Sequence, residues 1–243
     1  MIYPIPDRPN LSAIVLAGGL SRRMGQDKAL LLTPRAQPLL TQTIQIAQHL
    51  SSDIRVVTPW PERYQAVVPD GTQLIKEMPS ETSQGPLTQG PLSGFAQGWA
   101  QGRTEWCLLL ACDLPCLKSE CLVEWWEWLQ CQLAVSDRPP IASLVPRVKD
   151  SGSSSLSTAA KRWEPLCGFY HRGCLPGLHR YLASGGRSFQ SWLAGDLAEA
   201  RPEAGLEGLP ECQIMPYLNV PEGMLFNCNT PAEWAAITST ESL

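Results

Sequence analysis

Residues 16–31 read LAGGLSRRMGQDKALL, a stretch that concentrates bare backbone and positive charge. Gly18 and Gly19 follow the apolar run Ser12–Ala17, so the chain can turn sharply there and aim several N–H groups at one anion. Arg22, Arg23 and Lys28 add full charges, with Gly25 and Asp27 between them. This is the make-up of a phosphate cradle, although neither G-x-x-x-x-G-K-[ST] nor G-x-G-x-x-G can be drawn through it; the same glycines could instead only make a tight turn. A second place is Asp113, at the end of the apolar run WCLLLACD. A carboxylate there must stay near solvent or be compensated, and magnesium, which takes hard oxygen ligands and fills its shell with waters and phosphates, is an apt compensator. The alternative is an Asp that caps the following helix. A third place is Asn227-Cys228-Asn229. In extended backbone both amides face one side, and Asn229 can also cap the helix that begins near Thr230-Pro231-Ala232-Glu233.

These three places all follow apolar runs, and the runs alternate with helical patterns. Strands are expected at Ser12–Ala17, Ile54–Thr58, Gln73–Lys76, residues 106–113, Ile141–Pro146, Trp163–Tyr170 and in the first residues of LFNCNTPAEWAAI. Helices are expected at Pro38–Leu50, from about Gly94 to Gln101, about Lys118–Leu133, Gly173–Ala183, Ser188–Ala194 and after Thr230. Alternation of this kind argues for an α/β fold, a doubly wound, mostly parallel sheet with helices on both faces. In such sheets ligands bind outside the carboxyl ends of strands. The Ser-rich stretch between Lys149 and Lys161 has neither periodicity nor bulk and reads as a mobile loop.

The whole chain narrows the function further. Its 243 residues suit one globular unit, divided here as an extension over 1–11, a domain over 12–238 and a tail over 239–243. The 23 acidic residues outnumber the 19 Lys and Arg, which argues against nucleic-acid binding. No apolar run approaches the ~20 residues of a membrane span, and MIYPIPDRPN lacks the basic start and apolar stretch of an export signal; a cytoplasmic location is expected. The nine cysteines form no C-x-x-C. Cys112, Cys116 and Cys121 are the nearest group, without a histidine close by, so reduced thiols are expected rather than a metal-thiolate site. In EWWEW, Trp125 and Trp128 share a helix face and read as core or subunit contact. His171-Arg172 after one strand, and Arg147 and Lys149 beside the Ser-rich loop, could meet an anionic acceptor or be solvated charge.

LAGGLSRRMGQDKALL, GPLSGF, ACDLP, EPLCGFY and FNCNTPAEW, in this order, resemble the molybdenum cofactor guanylyltransferases, a branch of the α/β nucleotidyltransferases, over about residues 12–238. LAGG with GPLSG looks like the guanine-using branch, since cytidine-using relatives read LAAG. The resemblance implies that GTP and molybdopterin, with or without molybdenum, give the guanine dinucleotide and pyrophosphate, with Mg²⁺ as cofactor. It implies that Leu16, Ala17, Gly18 and Gly19 lie against guanine and ribose, and that Arg22, Gly25 and Lys28 hold the triphosphate. Gly90, Pro91, Leu92 and Gly94 would line the base pocket. Asp113 and Asn229 would bind Mg²⁺, and Asn227 would support that site or touch the pterin. Where the family carries an aspartate after the third strand this chain has Ile75-Lys76-Glu77, which leaves open whether Glu77 or Lys76 meets the nucleotide. The GPL triplet is duplicated at Gly85–Leu87 and Gly90–Leu92, and the second, followed by Ser-Gly, fits the pattern. Partners implied are GTP, molybdopterin, molybdenum insertion proteins and recipient molybdoenzymes. The competing readings are a cytidylyl or sugar-phosphate nucleotidyltransferase, a non-catalytic nucleotide or pterin carrier, and a glycosyltransferase-like domain, which usually shows paired acids where CDLP has one.

Overall fold

In the computed structural model the described residues are 10–19, 21, 23–82, 85–87, 90–134, 141–149, 161–194 and 213–240. The chain runs β1 (Leu11–Leu16), α1 (Leu39–Gln48), β2 (Ile54–Thr58), α2 (Pro61–Tyr64), β3 (Gln73–Lys76), β4 (Ser80–Thr82), β5 (Gly85–Leu87), α3 (Pro91–Ala100), β6 (Trp106–Ala111) and α4 (Ser119–Leu133). It continues through β7 (Ile141–Lys149), β8 (Lys161–Trp163), β9 (Cys167–His171), α5 (Leu175–Ala183), α6 (Phe189–Ala194), β10 (Gln213–Tyr217) and α7 (Pro231–Thr240).

The main sheet has the order β3-β2-β1-β6-β9-β7-β10, with β8 paired to β7. All neighbours are parallel except that β9 runs antiparallel to both β6 and β7, and β8 to β7. β4 and β5 form a separate antiparallel hairpin. The fold is therefore α/β with one mixed, mostly parallel sheet.

Strand periodicity sorts the core into two layers. Ala13, Val15, Val56, Leu108 and Leu110 pack under α1 and α4, whereas Ile14, Val57, Cys107 and Leu109 pack under α3, α5 and α6. Within EWWEW, Trp125 and Trp126 of α4 are buried in the core, whereas Glu124 and Glu127 are exposed. Trp128 is partly exposed and meets Tyr217 edge-on. No helix of the described residues is long and apolar enough to cross a membrane.

Two sequence expectations need correcting. The run expected as one strand over Trp163–Tyr170 is two, because Glu164-Pro165-Leu166 makes a turn between β8 and β9; Pro165 has no N–H to give a ladder. No strand forms at Leu225–Phe226: the chain turns at Gly223 and runs on without a ladder. The last strand is instead β10, whose Pro216 is tolerated because β10 is a sheet edge. Finally, the expected mobile loop lies mostly outside the described residues, but its flanks are paired, Lys149 opposite Lys161.

Gly90, at φ 79°, precedes α3, and Pro91 starts it without needing an N–H partner. Gly94 and Gly98 let α3 lie close on the sheet. A Cβ at Gly98 would sit 2.6 Å from Val57 Cγ2 and 3.3 Å from Ile14 Cδ1. Gly98→Ala should therefore destabilise the protein by about 1–2 kcal/mol, since overpacking against a stiff β-branched side chain outweighs alanine's better helix propensity. The midpoint of urea unfolding checks this; an unchanged or higher midpoint would show that the helix can lift off freely.

Candidate functional site

β1 and β6 are adjacent, but the chain leaves β1 through α1 towards β2 and reaches β6 through α3 on the other face, so the strand order reverses between them. That reversal opens a crevice at their carboxyl ends. A cleft of about 500 Å³ lies there, lined by Leu16–Gly19, Lys28, Glu77, Gly90, Pro91, Gly94 and Asp113 among others.

The loop after β1 bends in two left-handed residues, Ser21 at φ 46° and Gly25 at φ 69°. Only Gly25 adopts this without strain. Ser21 Oγ accepts from Lys28 N–H at 3.2 Å, and Asp27 Oδ1 caps the 3-10 turn Lys28–Leu30 through Ala29 N–H at 3.1 Å. Lys28 leaves this turn pointing across the cleft. Its ammonium donates to Asp113 Oδ2 at 3.3 Å, to the Cys228 carbonyl at 2.8 Å and to Asn229 Oδ1 at 2.8 Å. All three ammonium donors are thus used.

Asp113 follows β6 and its carbonyl accepts from Cys228 N–H at 3.2 Å, which ties the segment before α7 to the strand end. Its second carboxylate oxygen, Oδ1, is buried and has no hydrogen-bond partner. Whether Asn229 also caps the helix, as the sequence allowed, is answered by its neighbours. Glu233 Oε2 accepts from the N–H groups of Asn229 (2.7 Å) and Thr230 (2.8 Å), while Thr230 Oγ1 accepts from Glu233 N–H at 3.3 Å. That is a capping box with Thr230 as the cap, so the Asn229 side chain is left for Lys28. The Asn229 N–H bond, first among several backbone contacts, also lowers the Glu233 pKa.

Glu77 enters the cleft from the end of β3. Its Oε2 would stand 3.1 Å from a Cβ at Gly18, and its carboxyl carbon 3.6 Å from one at Gly94. Both glycines make room for this acid. Lys76 is exposed and does not line the cleft. A second cleft of about 240 Å³ shares Pro91, Ala111, Asp113 and Leu166 with the first, and is lined further by Glu164, Arg187, Gln190 and Asn227.

The structure thus gathers Leu16, Ala17, Gly18, Gly19, Lys28, Glu77, Gly90, Pro91, Gly94 and Asp113 around one cleft, with Asn229 on Lys28 and Asn227 in the second cleft. Gly25 shapes the loop without lining the cleft. Leu92 is fully buried in the α3 layer rather than in the cleft. Arg22 lies outside the described residues. The second GPL triplet supplies Gly90 and Pro91, while the first forms β5. His171 and Arg172 lie at the opposite end of the sheet, beside Trp106, Thr104 and Glu105, because β9 is antiparallel. Arg147 stacks over Trp163 at 4.7 Å.

Sequence reasoning passed over Tyr64, Leu166 and Gln190, which line the clefts, and left Asp27 and Arg187 without roles. Asp27 and Leu166 stood in quoted motifs, whereas Tyr64, Gln190 and Arg187 stood in none of them. Among the described residues no group of three or more His, Cys, Asp and Glu could hold a metal. The eight described cysteines are free thiols.

The family model of the MobA-like NTP transferase domain matches residues 13–200. The chain belongs to this family. A probable molybdenum cofactor guanylyltransferase of Nostoc sp. is 43% identical over 94% of this chain and 90% of its own length. One from Synechococcus elongatus is 35% identical over 94% and 98%. Among solved structures, molybdopterin-guanine dinucleotide biosynthesis protein A of Archaeoglobus fulgidus superposes with a TM-score of 0.64 at 17% identity, covering 95% of this chain and 98% of that one. A 4-diphosphocytidyl-2C-methyl-D-erythritol synthase of Anaerococcus prevotii gives 0.63 at 10% identity, covering 96% of each. At 17% and 10% identity these two likenesses concern the fold alone.

Burial raises the Glu77 pKa above the ordinary carboxylate value. The folded state therefore keeps this proton to higher pH than the unfolded chain does. The resulting stability is full below the unfolded pKa and is lost as pH rises through the folded one. Glu77→Gln should stabilise the ligand-free protein, relative to the natural sequence, more at about pH 7 than at about pH 4. Denaturant unfolding at both pH values measures this; a difference independent of pH would show that the carboxylate is well solvated.

Proposed function

We propose that the chain transfers GMP from GTP to the terminal phosphate of molybdopterin, with or without bound molybdenum, and releases pyrophosphate. An oxygen of the acceptor phosphate attacks the α-phosphorus of GTP, and the bond from that phosphorus to the oxygen bridging it to the β-phosphate breaks. Such a reaction needs two anions side by side and charge to neutralise the phosphorus oxygens. The single observation that supports this most is the meeting of two clefts at Asp113, with the Lys28 ammonium held there by three oxygens.

In this reading GTP occupies the larger cleft. Leu16–Gly19 take the base and ribose, Gly90, Pro91 and Gly94 close over the base, and Gly25 and Arg22 shape and charge the triphosphate loop. Lys28 exchanges its protein oxygens for those of the triphosphate. Guanine presents two adjacent N–H donors, N1–H and the 2-amino group, and the Glu77 carboxylate is the matching acceptor pair. The second cleft takes the acceptor, with Asn227 and Gln190 as hydrogen-bonding groups. Arg187, whose Nη1 rests on the carbonyls of Leu182 and Gly186, gives that cleft a positive charge.

The residues present fit a divalent cation: Asp113 Oδ1 is a buried oxygen without a partner, and Asn229 Oδ1 is a hard donor on the same ammonium. Asp113 and Asn229 would hold Mg²⁺, with phosphates and waters completing its shell. Bound there, it would neutralise phosphate charge.

Asp113→Ala should abolish Mg²⁺-dependent pyrophosphate release while the circular dichroism spectrum and melting transition persist. Lys28→Ala should lower turnover by at least about 100-fold, the scale of one charge directed at a developing oxyanion. The deciding assay supplies the four nucleoside triphosphates separately, each with Mg²⁺ and molybdopterin, and measures pyrophosphate; release from CTP but not GTP would overturn the guanine assignment. For Glu77 the comparison is GTP with ITP, which lacks the 2-amino group. Preference for GTP should be about tenfold or more in the natural sequence and largely lost in Glu77→Ala; an equal preference in both proteins would place the base contact elsewhere.

A further inference from the structure

We propose that Tyr64 is a positioning residue for Lys28, acting through Asp27; this rests on the nucleotidyltransferase reading of the cleft. Lys28 immediately follows Asp27. Among the described residues of the loop that precedes both, side-chain bonds run from Ser21 Oγ to the Gly19 carbonyl at 3.4 Å and from Lys28 N–H to Ser21 Oγ at 3.2 Å. Asp27 provides the fixed point. Oδ1 caps the turn that carries Lys28, and Oδ2 accepts from Tyr64 Oη–H at 2.8 Å and from Arg63 Nη1 at 3.0 Å. Both partners sit on α2, an element outside the loop that follows the end of β2.

The two partners are unequal. The Arg63 side chain is 45% exposed and stacks on Trp60 at 4.5 Å; an ion pair so open to water fixes little. Tyr64 is 1% exposed, packs in the core and forms part of the cleft wall. A buried phenol needs a hydrogen-bond partner, and its ring has few rotamers to lose. The Tyr64–Asp27 bond therefore transmits the rigidity of the core to the turn that directs the Lys28 ammonium. Misplacing a catalytic group by about 1 Å can cost about 100-fold in rate, so an anchor of this kind has kinetic weight.

Tyr64→Phe removes only the hydroxyl. It should lower kcat/KM for GTP about tenfold, the loss falling mainly on kcat, as expected for one hydrogen bond to a charged group. In a Lys28→Ala background the same change should have less than about a twofold effect, because the group being positioned is gone. Asp27→Ala removes both the Ala29 N–H and the Tyr64 bonds and should lower kcat/KM at least as much as Tyr64→Phe. Hydrogen exchange of the ligand-free protein provides a readout independent of activity. Amides of Lys28 to Leu31 should exchange at least about tenfold faster in Tyr64→Phe, with α1 unchanged. Unaltered exchange there, or an equal loss of kcat/KM with and without Lys28, would overturn the positioning role. Absence of GTP turnover in the natural sequence would instead sink the functional reading and leave the exchange result to judge the anchor alone.

Discussion

One ammonium group holds the site together. Lys28 lies 85 residues before Asp113 and 201 before Asn229, and bringing such distant segments together has a loop-closure cost that must be offset at the contact. The side chains of Lys28 and Asp113 are only 13% and 22% exposed, so neither charge keeps its full hydration. A largely buried ammonium needs oxygens on all sides, and here two of the three come from the segment before α7. That segment has no strand ladder of its own at Leu225–Phe226. Its position follows from Cys228 N–H on the Asp113 carbonyl, from the Thr230–Glu233 cap and from Lys28.

The reversal of β9 has an equally direct consequence. Had β9 run with its neighbours, His171 and Arg172 would stand at the mouth of the site and the turn Glu164-Pro165-Leu166 at its base. Running against them, it brings that turn up beside Ala111, whose N–H donates to the Leu166 carbonyl at 2.8 Å. The turn, with the residues that open α6, forms the wall of the second cleft. A uniformly parallel sheet gives one crevice at the point of strand reversal; an antiparallel strand next to it gives a second cleft sharing a wall with the first. Two ligands can then meet at one carboxylate.

These features were unequally legible in the sequence. Apolar runs and helical spacing located β1, β2, β3, β6, α1, α3 and α4 within a residue or two at most boundaries, because both faces of the sheet are covered and the burial pattern is strong. The motif residues Gly18, Lys28, Glu77, Gly90 and Asp113 converge because each directly follows a strand or begins a helix at the same end of the sheet. Strand direction is different. Nothing in CGFY marks it as antiparallel, so a rule based on strand ends left an acceptor contact open for His171, which β9's direction puts at the other end of the sheet. β10 escaped notice because QIMPY is short and carries a proline that only an edge position permits. Leu92 was assigned with its motif, yet the helical turn that puts Gly94 on the cleft turns Leu92 into the core. Tyr64 could not be found at all, since its meaning depends on a contact with Asp27, 37 residues away.

Glu77 shows how the same site relates stability to use. Its carboxylate is desolvated against Gly18 and Gly94, and the rise in its pKa records the cost to the free protein. Replacing Gly18 with a larger residue would crowd the acid and leave less room beside it, so the two glycines keep the space as well as the exposed backbone. A ligand offering two N–H donors would compensate an acceptor already desolvated and fixed, without a further reorganisation cost on binding. Lys28 differs in kind: its ammonium is fully satisfied before any substrate arrives, so an incoming phosphate has to replace three protein oxygens. On the proposed reading the base pocket thus begins with an unmet demand and the phosphate pocket with a satisfied one. In that same reading, selectivity is set mainly at Glu77, while Lys28 contributes most where negative charge on the phosphate exceeds what its resting oxygens provide.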